Sequence, residues 1–505
     1  MFYSYLEENK MRSILNFVEF SYPTFSQEDR VFAFLDEIRN NENARVYGYG
    51  DYDVDGAMCA KVIETFLEKL GVKDFTMFEY KNRTHSLDGS AVNECINGKF
   101  NYMIIGDTAS QDLQVLKYLV GNGVKVLIMD HHVTSFNYDD FPEGVVIVNT
   151  TLENEILEKD EYELSAGALC FCVLDKYLKS IDLEDKSMYA YALTSLYADC
   201  MEMGNKLNRS IYWAAIGLER DELPKEITAF LNEYTIFGRR YIDFWFSPRI
   251  NALFRSEQFK VLNAFLFHSD NQAKTAACID LINKIYKSNR EMIGVISDVL
   301  QSDVEDMKNF VVCNMNLINE YKNVEEYKLY NYTGLIANTL TDKFEKPAIV
   351  YCEQGSKIKG SVRDKFSRDI LSIFQYLCDA GGHPPAFGFY VNKFDFPRFL
   401  RMIHMMDKDL VLDNAVSSPI IEQIGAVNPD SAMIDDMALY NDFSGGKLPV
   451  AFIRKQYIGN ITEKYSKYYH ELKWGEYRIQ SQESLVFGQN MILKPTKKKS
   501  VVLIK

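Results

Sequence analysis

The sequence predicts an α/β protein with a parallel-sheet domain, a helical connector, a second α/β domain and a small C-terminal β domain. Two observations lead to this prediction. Short apolar runs alternate with helical patterns in the first third of the chain, and the same alternation returns after a long helical stretch. Such an alternation is typical of a parallel sheet covered by helices on both faces. The chain has 505 residues, enough for about three or four domains.

The first sheet is predicted between residue 44 and about residue 149. Five successive segments read as strand, helix, strand, helix and strand: ARVYGYGDYDVDG, AMCAKVIETFLEKL, YMIIGD, LQVLKYLVGNG and VKVLIMDHH. Acidic residues stand where the three apolar runs stop, namely Asp51, Asp107 and Asp130. Because ligands of open α/β sheets gather at the carboxyl ends of the strands, we expect these carboxylates to meet at one edge.

The rest of the chain divides by the same criteria. From about residue 164 to residue 300 the pattern is helical, and NQAKTAACIDLINKIYKSNREMIGVISDVL predicts a long connecting helix. A second α/β unit is predicted from about 309 to 406, with strands in NFVVC, KPAIVYC and KIKGSV. The remaining residues mix short β-like runs with glycine and a lysine-rich end. The predicted domain boundaries are 1–215, 216–305, 306–410 and 411–505.

The composition narrows the class of protein. The formal net charge of -15 argues against nonspecific binding of nucleic acid through a uniformly basic surface, so any polyanion is expected to bind locally. Nine cysteines without a CxxC pair favour reduced thiols in the cytoplasm. The first residues lack the basic start and apolar run of a signal peptide, and no stretch approaches the ~20 apolar residues of a membrane helix. We therefore expect a cytoplasmic protein without a membrane partner.

Three aspartates alternate in the segment GDYDVDG: Asp51, Asp53 and Asp55. They are not expected in the interior of a buried strand, because unpaired carboxylates cost several kcal/mol each to desolvate. A bound cation would offset that cost. Taken alone, the segment also fits a solvated turn or a single calcium loop.

Further candidate ligands follow other apolar runs, in the segments GDTAS, DHH and YADCMEMGN. Carboxylate oxygens with some imidazole are the ligands expected for Mn²⁺ or Mg²⁺, and the lack of thiolate partners disfavours structural zinc. The sequence therefore predicts a two-metal hydrolytic site, of the kind that activates water for phosphoryl displacement. The alternative for His131 and His132 is that both are ordinary surface histidines.

The segments DYDVDG, GDTAS, DHH and YADCMEMGN, in this order, resemble the four motifs of the DHH phosphoesterase superfamily. The resemblance implies that two divalent ions, Mn²⁺ or Mg²⁺, bind to the chain. Its implied ligands are Asp53 and Asp55 for one ion each, Asp107 for both ions, and His131 and Asp199 for the second ion. His132 is expected to be catalytic. Many members carry a histidine where this chain has Tyr49, and Asp51 is the expected substitute.

Outside these motifs the sequence resembles the RecJ-type nucleases of the same superfamily. The resemblance lies in YKNRTHSLDG, SPRINALFR, DLINKIYKSNR, KGSVR and GGHPPAFGF. It implies a substrate-binding DHHA1 domain and the following substrate-binding residues: Arg83, Arg249, Asn251, Arg255, Ser361, Arg363, Gly381 and Gly382. His383 is expected to be catalytic, beside the scissile phosphate. Alternatively, the glycine pair forms an ordinary tight turn, and the polar residues of SPRINALFR have a structural salt-bridge role.

The chemistry of these residue types agrees with a phosphate ligand. The glycines of KGSVR and GGH let backbone N–H groups approach a phosphate closely. Arg363 is suited to bind it through two parallel hydrogen bonds, and Ser361 to donate one more.

The resemblance implies a metal-dependent 5′→3′ exonuclease that hydrolyses single-stranded DNA to 5′-mononucleotides by two-metal-ion hydrolysis, in DNA repair or recombination. RNA is a further candidate substrate, and a single-strand-binding protein or a helicase a candidate partner. Residues 411–505 would form an OB fold, and the host would be a bacterium or a bacteriophage. Two alternatives remain: a nanoRNase or cyclic-dinucleotide phosphodiesterase with DHH and DHHA1 domains, and a noncatalytic replication scaffold. The chain beyond GGH and the PRxNAxxR pattern favour the RecJ type.

Overall fold

A computed structural model of the chain describes most of its residues, and these fold into two compact units. The first unit comprises residues 1–78, 84–247 and 418–505, and the second comprises 79–83 and 248–417. The described residues are 2–81, 86–157, 162–232, 236–268, 272–300, 304–316, 328–364, 370–383, 386–409, 420–423, 431–443, 451–456, 463–465, 470–474, 477–481, 490–496 and 500–503.

The first unit is built on a parallel sheet. Its strands are β1 (Arg45–Gly50), β2 (Asp74–Met77), β3 (Tyr102–Gly106), β4 (Lys125–Asp130) and β5 (Val145–Asn149). They are ordered β2-β1-β3-β4-β5, and all four pairings are parallel. Every residue of β3 and β5 is buried, as expected for strands covered on both faces. The carboxyl ends of all five strands therefore lie at the same edge of the sheet.

Helices cover this sheet, and three of them, which follow β1 and β5 in the chain, pack against one another. The helices of the first unit before residue 247 are α1 (Phe2–Glu8), α2 (Glu28–Asn40), α3 (Val54–Leu70), α4 (Gly89–Asn97), α5 (Leu113–Gly121), α6 (Thr150–Leu157), α7 (Ala166–Ser180), α8 (Met188–Ala198), α9 (Lys206–Ile216), α10 (Lys225–Thr228) and α11 (Arg239–Tyr241). Short 3-10 turns lie at Arg12–Leu15 and Tyr138–Asp140, and a π-helical turn at Ile242–Phe246. The mutually packed helices are α3, α7 and α8, which carry or support the acidic residues discussed below.

The second unit begins within α12 and contains a mixed sheet. Its helices are α12 (Ser247–Arg255), α13 (Phe259–Phe267), α14 (Gln272–Leu300), α15 (Thr333–Phe344), α16 (Leu371–Leu377) and α17 (Phe396–Asp409), with a 3-10 turn at Leu329–Asn331. Its strands are β6 (Val304–Asp306), β7 (Val311–Asn314), β8 (Ala348–Gln354), β9 (Lys357–Arg363), β10 (Asp379–His383) and β11 (Ala386–Asn392). The order is β10-β11-β9-β8-β7-β6, with β7 and β8 parallel and the other neighbours antiparallel.

Strand β9 has two unlike faces. Ile358 and Val362 are buried in an apolar core that also contains Phe374, Phe387 and Phe389. Because side chains alternate along a strand, the residues between them face the other side of the sheet. These residues are Lys357, Lys359, Ser361 and Arg363. One face of β9 is therefore polar along its whole length.

Residues 418–505 belong to the first unit and add a second sheet to it. Its strands are β12 (Ile420–Gln423), β13 (Ala451–Gln456), β14 (Glu463–Tyr465), β15 (His470–Trp474), β16 (Tyr477–Ser481), β17 (Asn490–Thr496) and β18 (Ser500–Leu503). They are ordered β12-β13-β17-β18-β16-β15-β14. Helix α18 (Ser431–Phe443) packs on this sheet: the side-chain amide of Asn441 donates to the carbonyls of Ala451 and Pro495, at 3.0 Å each.

Helix α18 is also bonded to the helices beside the parallel sheet. The hydroxyl of Tyr212 in α9 donates to the carboxylate of Asp442 at 2.9 Å, and that of Tyr197 in α8 donates to the Asp442 carbonyl at 3.1 Å. Arg239 donates to the Asp442 carbonyl at 3.4 Å and also to the carbonyl of Asn441. Residues 431–443 are therefore joined to the part of the first unit that contains α8 and α9.

The predicted α/β class is confirmed. The predicted strands and helices between residues 44 and 149 are present, and the predicted connecting helix is α14. Strands also occur in the C-terminal segments predicted to be β-like, but an OB fold at 411–505 stays a prediction, as do the boundaries 1–215, 216–305 and 306–410. Among the described residues, no helix combines the length and apolar character that a bilayer span requires.

Candidate metal centre

Three neighbouring strands of the first unit end at the same level. Gly50, at the end of β1, pairs in register with Gly106, at the end of β3, and Gly106 pairs with Met129 of β4. The acidic residues that end or follow these strands are Asp51, Asp107 and Asp130. The fold thus places them together at the carboxyl edge of the sheet.

Helix α3 brings Asp53 and Asp55 to the same edge. Asp53 caps the helix, since its carboxylate accepts a hydrogen bond from the backbone N–H of Gly56 at 3.0 Å. The first turn of α3 packs directly on the strand end: a Cβ at Gly56 would stand 2.3 Å from the backbone nitrogen and oxygen of Asp51. Glycine at position 56 therefore permits the short connection that holds three aspartates together.

The carboxylate of Asp55 is fixed by three donors from other helices. The backbone N–H groups of Ala166 and Gly167, in the first turn of α7, donate to its two oxygens at 2.9 Å each. The hydroxyl of Ser195 in α8 donates to Oδ1, and it is itself hydrogen-bonded to the hydroxyl of Ser165. The positive end of the α7 dipole also favours a negative charge at this position. Asp55 is therefore oriented before any ion binds.

His131 lies at the centre of the acidic residues. Its Nε2 is 3.4 Å from Oδ1 of Asp107, 3.6 Å from Oδ2 of Asp199 and 3.8 Å from Oδ2 of Asp55. The ring is buried, with 4% of the side chain exposed. Asp199 directly follows α8, so four separate segments of the first unit meet at this imidazole.

Two groups of potential metal ligands share His131. One is Asp55, His131 and Asp199, the other Asp107, His131 and His132, and within each group the ligand atoms lie within 4.8 Å of one another. Among the described residues, Oδ1 of Asp107 and Oδ1 of Asp51 are buried without a hydrogen-bond partner. Buried carboxylate oxygens in that state are stabilised by a proton or by a bound cation. The donor set, carboxylate oxygens with imidazole, fits Mn²⁺ or Mg²⁺.

The crowding of carboxylates perturbs their protonation. Burial, with the neighbouring charge of Asp53, raises the pKa of Asp51 to about 8. Burial, with the charges of Asp199 and Asp53, raises the pKa of Asp55 to about 7. The pKa of Asp107 is raised well above its ordinary value by the same causes, burial first and then Asp55. Like charges at this density favour binding of a divalent cation.

His132 is held in place by Asp130. Its Nδ1 lies 2.8 Å from Oδ1 of Asp130, and the backbone N–H groups of His131 and His132 donate to the same oxygen at 2.8 and 3.2 Å. Burial lowers the pKa of His132, but the charge of Asp130 outweighs it and raises that pKa to about 10. With 44% of its side chain exposed, the ring is accessible at the edge of the centre.

In the second unit, Ser361 and Arg363 meet the first turn of α15. The hydroxyls of Ser361 and Thr333 are 2.8 Å apart. The guanidinium of Arg363 lies against Gly334, where an added Cβ would stand 2.6 Å from Nη2, and Nη1 donates to the carbonyl of Val362 at 2.8 Å. A helix N-terminus beside an arginine and a hydroxyl is a common anion-binding arrangement.

The residues of SPRINALFR have partners inside the second unit. Arg249 is buried, donates through Nε to the side chain of Asn283 at 2.8 Å, and lies over the ring of Tyr286 at 4.7 Å. The carbonyl of Arg255 accepts a hydrogen bond from Asn331 at 3.1 Å. Asn251 is partly buried in α12. For Arg249, these contacts support a structural role.

The remaining predicted site residues lie at the edge of what the structure describes. Gly381 and Gly382 are exposed in β10, and Gly382 has φ +131°, which favours glycine. The backbone of His383 pairs with Ala386 in β11. The side chain of His383 and the whole of Arg83 lie outside the described residues.

Sequence reasoning missed the residues that orient the ligands. Ser195, Ser165 and Gly167 carry no motif. Ser195 and Gly167 donate to Asp55 from positions more than a hundred residues further along the chain, and Ser165 acts only through Ser195. The DHH motif includes Asp130, but the hydrogen bonds of Asp130 to His132 follow only from the geometry. The one local signal for these contacts is the start of α7 at Ser165–Gly167, because the first backbone N–H groups of a helix have no partner within the helix and can bind a carboxylate.

The parallel sheet and the cluster at its carboxyl edge place the chain in the class of α/β proteins with a carboxylate–histidine site for divalent metal. Within that class, the chain is related in sequence to single-strand-specific exonucleases and has the fold of RecJ. No protein-family model matches the chain.

The comparisons support this in sequence and in structure. A protein named SPbeta prophage-derived single-strand DNA-specific exonuclease YorK, from Bacillus subtilis (strain 168), is 21% identical over 445 residues, which are 81% of this chain and 73% of YorK. The single-stranded-DNA-specific exonuclease RecJ of the same organism is 26% identical over 387 residues, 71% of this chain and 45% of RecJ. The crystal structure of RecJ from Thermus thermophilus with Mn²⁺ matches at a TM-score of 0.73 and 16% identity, over 99% of this chain and 74% of that protein. The same RecJ is also known with Mg²⁺.

Proposed function

We propose that the chain is a metal-dependent exonuclease that degrades single-stranded DNA from its 5′ end to 5′-mononucleotides. The observation that carries this proposal is the approach of Asp55, Asp107 and Asp199 to Nε2 of His131, all within 3.8 Å. Such a donor set suits Mn²⁺ or Mg²⁺, and the relatives described above are named for single-strand-specific exonuclease activity.

Two ions would be held by the ligands that the resemblance implies: Asp53 and Asp55 for one ion each, Asp107 for both, and His131 and Asp199 for the second ion, with Asp51 beside them. The grouping of Asp55, His131 and Asp199 supports the second of these sites. When bound, such ions act as Lewis acids that neutralise a phosphodiester and activate water. The chain itself contributes the geometry. The donors from α7 and Ser195 fix the carboxylate of Asp55. Without metal, the clustered aspartates would repel the anionic phosphodiester. A bridging role for Asp107 follows the resemblance to the DHH motifs.

His132 is the residue we assign to the substrate phosphate. Asp130 fixes its ring, and its partial exposure lets it reach a group at the surface of the centre. His383 is assigned a second contact with the scissile phosphate, by the resemblance of GGHPPAFGF to the RecJ type.

The 5′-phosphate is proposed to bind at Ser361 and Arg363. The support for this site is the guanidinium and the hydroxyl beside the first turn of α15, where backbone N–H groups favour an anion. Gly381 and Gly382 would let the backbone approach the strand. The other substrate contacts, assigned by resemblance, are Arg83, Asn251, Arg255 and Arg249, the last in a positioning role.

The finer parts of the proposal concern setting and partners. We propose DNA as the main substrate and RNA as a secondary one, with a single-strand-binding protein or a helicase as partner. The enzyme would act in the cytoplasm of a bacterium or of a phage-infected bacterium, in repair or recombination. An OB fold at 411–505 would bind the strand.

The proposal is tested with a single-stranded oligonucleotide labelled at either end, in the presence of Mn²⁺. We expect immediate release of mononucleotide from the 5′ label and gradual shortening of the 3′-labelled strand. A dinucleotide RNA and a cyclic dinucleotide serve as comparison substrates. Turnover of the small substrates alone would reject the exonuclease and identify a nanoRNase or cyclic-dinucleotide phosphodiesterase.

The 5′-phosphate site is tested separately with Arg363→Ala. Loss of the guanidinium should weaken the preference for a 5′-phosphorylated strand over a 5′-hydroxyl strand. The measured quantity is the ratio of kcat/KM for the two strands. An unchanged ratio would reject the assignment of Arg363 while leaving the exonuclease proposal standing.

A further inference from the structure

The second unit contains a cavity of about 480 Å³ between the end of α16, strand β11 and the start of α17. Neither Ser361 nor Arg363 lines it. A cavity of this size suits a small-molecule ligand, for which volumes of roughly 300–1,000 Å³ are usual. The lining residues that carry the argument are Lys357, Tyr376, Asp379, Tyr390, Asn392, Asp395 and Arg398.

Two tyrosines give the cavity aromatic surface. Tyr376, in the last turn of α16, has 91% of its surface exposed, although large aromatic side chains are normally buried. Tyr390, in β11, has the ammonium groups of Lys357 and Lys359 each 5.7 Å from its ring centroid. The cavity thus has one exposed ring, Tyr376, and a second ring, Tyr390, beside two cations; aromatic rings and cations together bind nucleobases and phosphates in single-strand-binding proteins.

The charges at the cavity are balanced. Lys357 and Arg398 supply two cations, and Asp379 and Asp395 supply two carboxylates. A ligand that is purely anionic would meet the carboxylates unfavourably. A nucleotide carries both an anionic phosphate and a base whose amino and imino groups donate hydrogen bonds, and it matches this mixture.

The cavity borders the polar face of β9. Along that strand Lys357, Lys359, Ser361 and Arg363 face the same side, separated by the two-residue repeat of ~6.6 Å. In the neighbouring strand, Tyr390 pairs with Lys359 and Asn392 with Lys357. Lys357 therefore joins the cavity to the polar face of β9, whereas α16 and α17, which form its other walls, pack on the apolar face of that strand.

We propose that this cavity binds one nucleotide, with its base against Tyr376 and its phosphate between Lys357 and Arg398. The inference rests on the proposed exonuclease function and adds a second nucleotide site to it, in the second unit. The nucleotide has two possible sources: a released 5′-mononucleotide or a unit of the single strand.

Binding is measured by calorimetry in EDTA, so that no hydrolysis occurs, with dAMP and with a short single-stranded oligonucleotide. Tyr376→Ala should weaken binding of at least one of these ligands by about tenfold, as expected for the loss of one stacked base. Phe394→Ala is the matched control, because Phe394 is 95% exposed in the same unit and does not line the cavity. The ligand that responds identifies the source of the nucleotide.

The phosphate contact is measured with a second pair of variants. Arg398→Ala should remove most of the difference in affinity between dAMP and deoxyadenosine. Arg401→Ala, an exposed arginine of the same helix that does not line the cavity, should retain it.

Equal binding of both ligands by Tyr376→Ala and Phe394→Ala would overturn the proposal, and so would no binding of either ligand to the unmodified protein. Failure of the exonuclease proposal would give a different result. The protein would still bind dAMP or the oligonucleotide in EDTA, but it would release no mononucleotide in the presence of Mn²⁺.

Discussion

Replacement of Ser195 by alanine should weaken metal binding although Ser195 is not a proposed ligand. Its hydroxyl is one of three donors to the carboxylate of Asp55, the other two being the backbone N–H groups of Ala166 and Gly167. Without it, the carboxylate is held by two hydrogen bonds instead of three, one to each oxygen, and its orientation is less restricted. The backbone donors remain, so the fold of the first unit should persist.

The size of the effect follows from the kind of bond. A hydrogen bond to a charged group contributes ~1.5–3 kcal/mol. Loss of a group that orients a metal ligand typically costs ~10–100-fold in metal affinity. We therefore expect the Kd for Mn²⁺ to rise by about 10–100-fold in Ser195→Ala. Ser165→Ala should have a smaller effect, because Ser165 contacts Ser195 and not Asp55.

The assay is a titration of the protein with Mn²⁺, followed by the electron paramagnetic resonance signal of the free ion. Ser210→Ala is the matched control, since Ser210 is also buried in the first unit but donates to the carbonyl of Leu207, at 2.7 Å, within α9. Equal Mn²⁺ affinity of Ser195→Ala and Ser210→Ala would refute the orienting role of Ser195.

Three further predictions address the same unit. Asp107→Asn, which keeps a residue type tolerated at φ +69°, should abolish Mn²⁺-dependent nuclease activity while the melting temperature of the metal-free protein stays equal or rises, because a crowded buried carboxylate is removed; a lower melting temperature would contradict this. Gly56→Ala should lower the free energy of unfolding by ~1–3 kcal/mol, and with it the melting temperature and the activity, because the added Cβ overlaps the backbone of Asp51. Gly89→Ala is the control: its Cβ would meet no atom within 4 Å, and neither quantity should fall. Burial raises the pKa of Asp175 from 3.8 to about 6, so the folded protein favours the protonated carboxyl. The stability that this provides is fully present below pH ~4 and is lost as the pH rises through 6. Asp175→Asn should remove that pH dependence and raise the free energy of unfolding by up to about 3 kcal/mol at pH ~7.5, measured by urea unfolding between pH ~4 and ~7.5.

The sequence predicted the ligand-bearing edge of the first sheet because that information is local. Strand periodicity locates the ends of β1, β3 and β4, and in a parallel sheet those ends must lie together. Asp107 and Asp130 thus follow from pattern alone, and Asp199 from the resemblance of YADCMEMGN to a known motif.

The orienting contacts were not predictable because they depend on how helices pack. The first turn of α7 and the face of α8 that carries Ser195 meet Asp55 only after α3, α7 and α8 have packed on one another. Nothing in the local sequence distinguishes Ser195 from any other buried serine of a helix. In the second unit the same limit applies to Arg249: its residue type suggested phosphate or an ion pair, but its contacts with the Asn283 amide and the Tyr286 ring follow only from the packing of α12 on α14.

The division of the chain has a consequence for how the protein is made. The first unit is discontinuous: residues 84–247 precede the second unit and residues 418–505 follow it. During synthesis, which proceeds at ~5–20 residues per second, the second unit is complete in the growing chain before α18 exists to bond with Tyr197 and Tyr212. The helix that ends beside Asp199 therefore acquires its last hydrogen bonds late, and a nascent chain that stops before residue 431 lacks them.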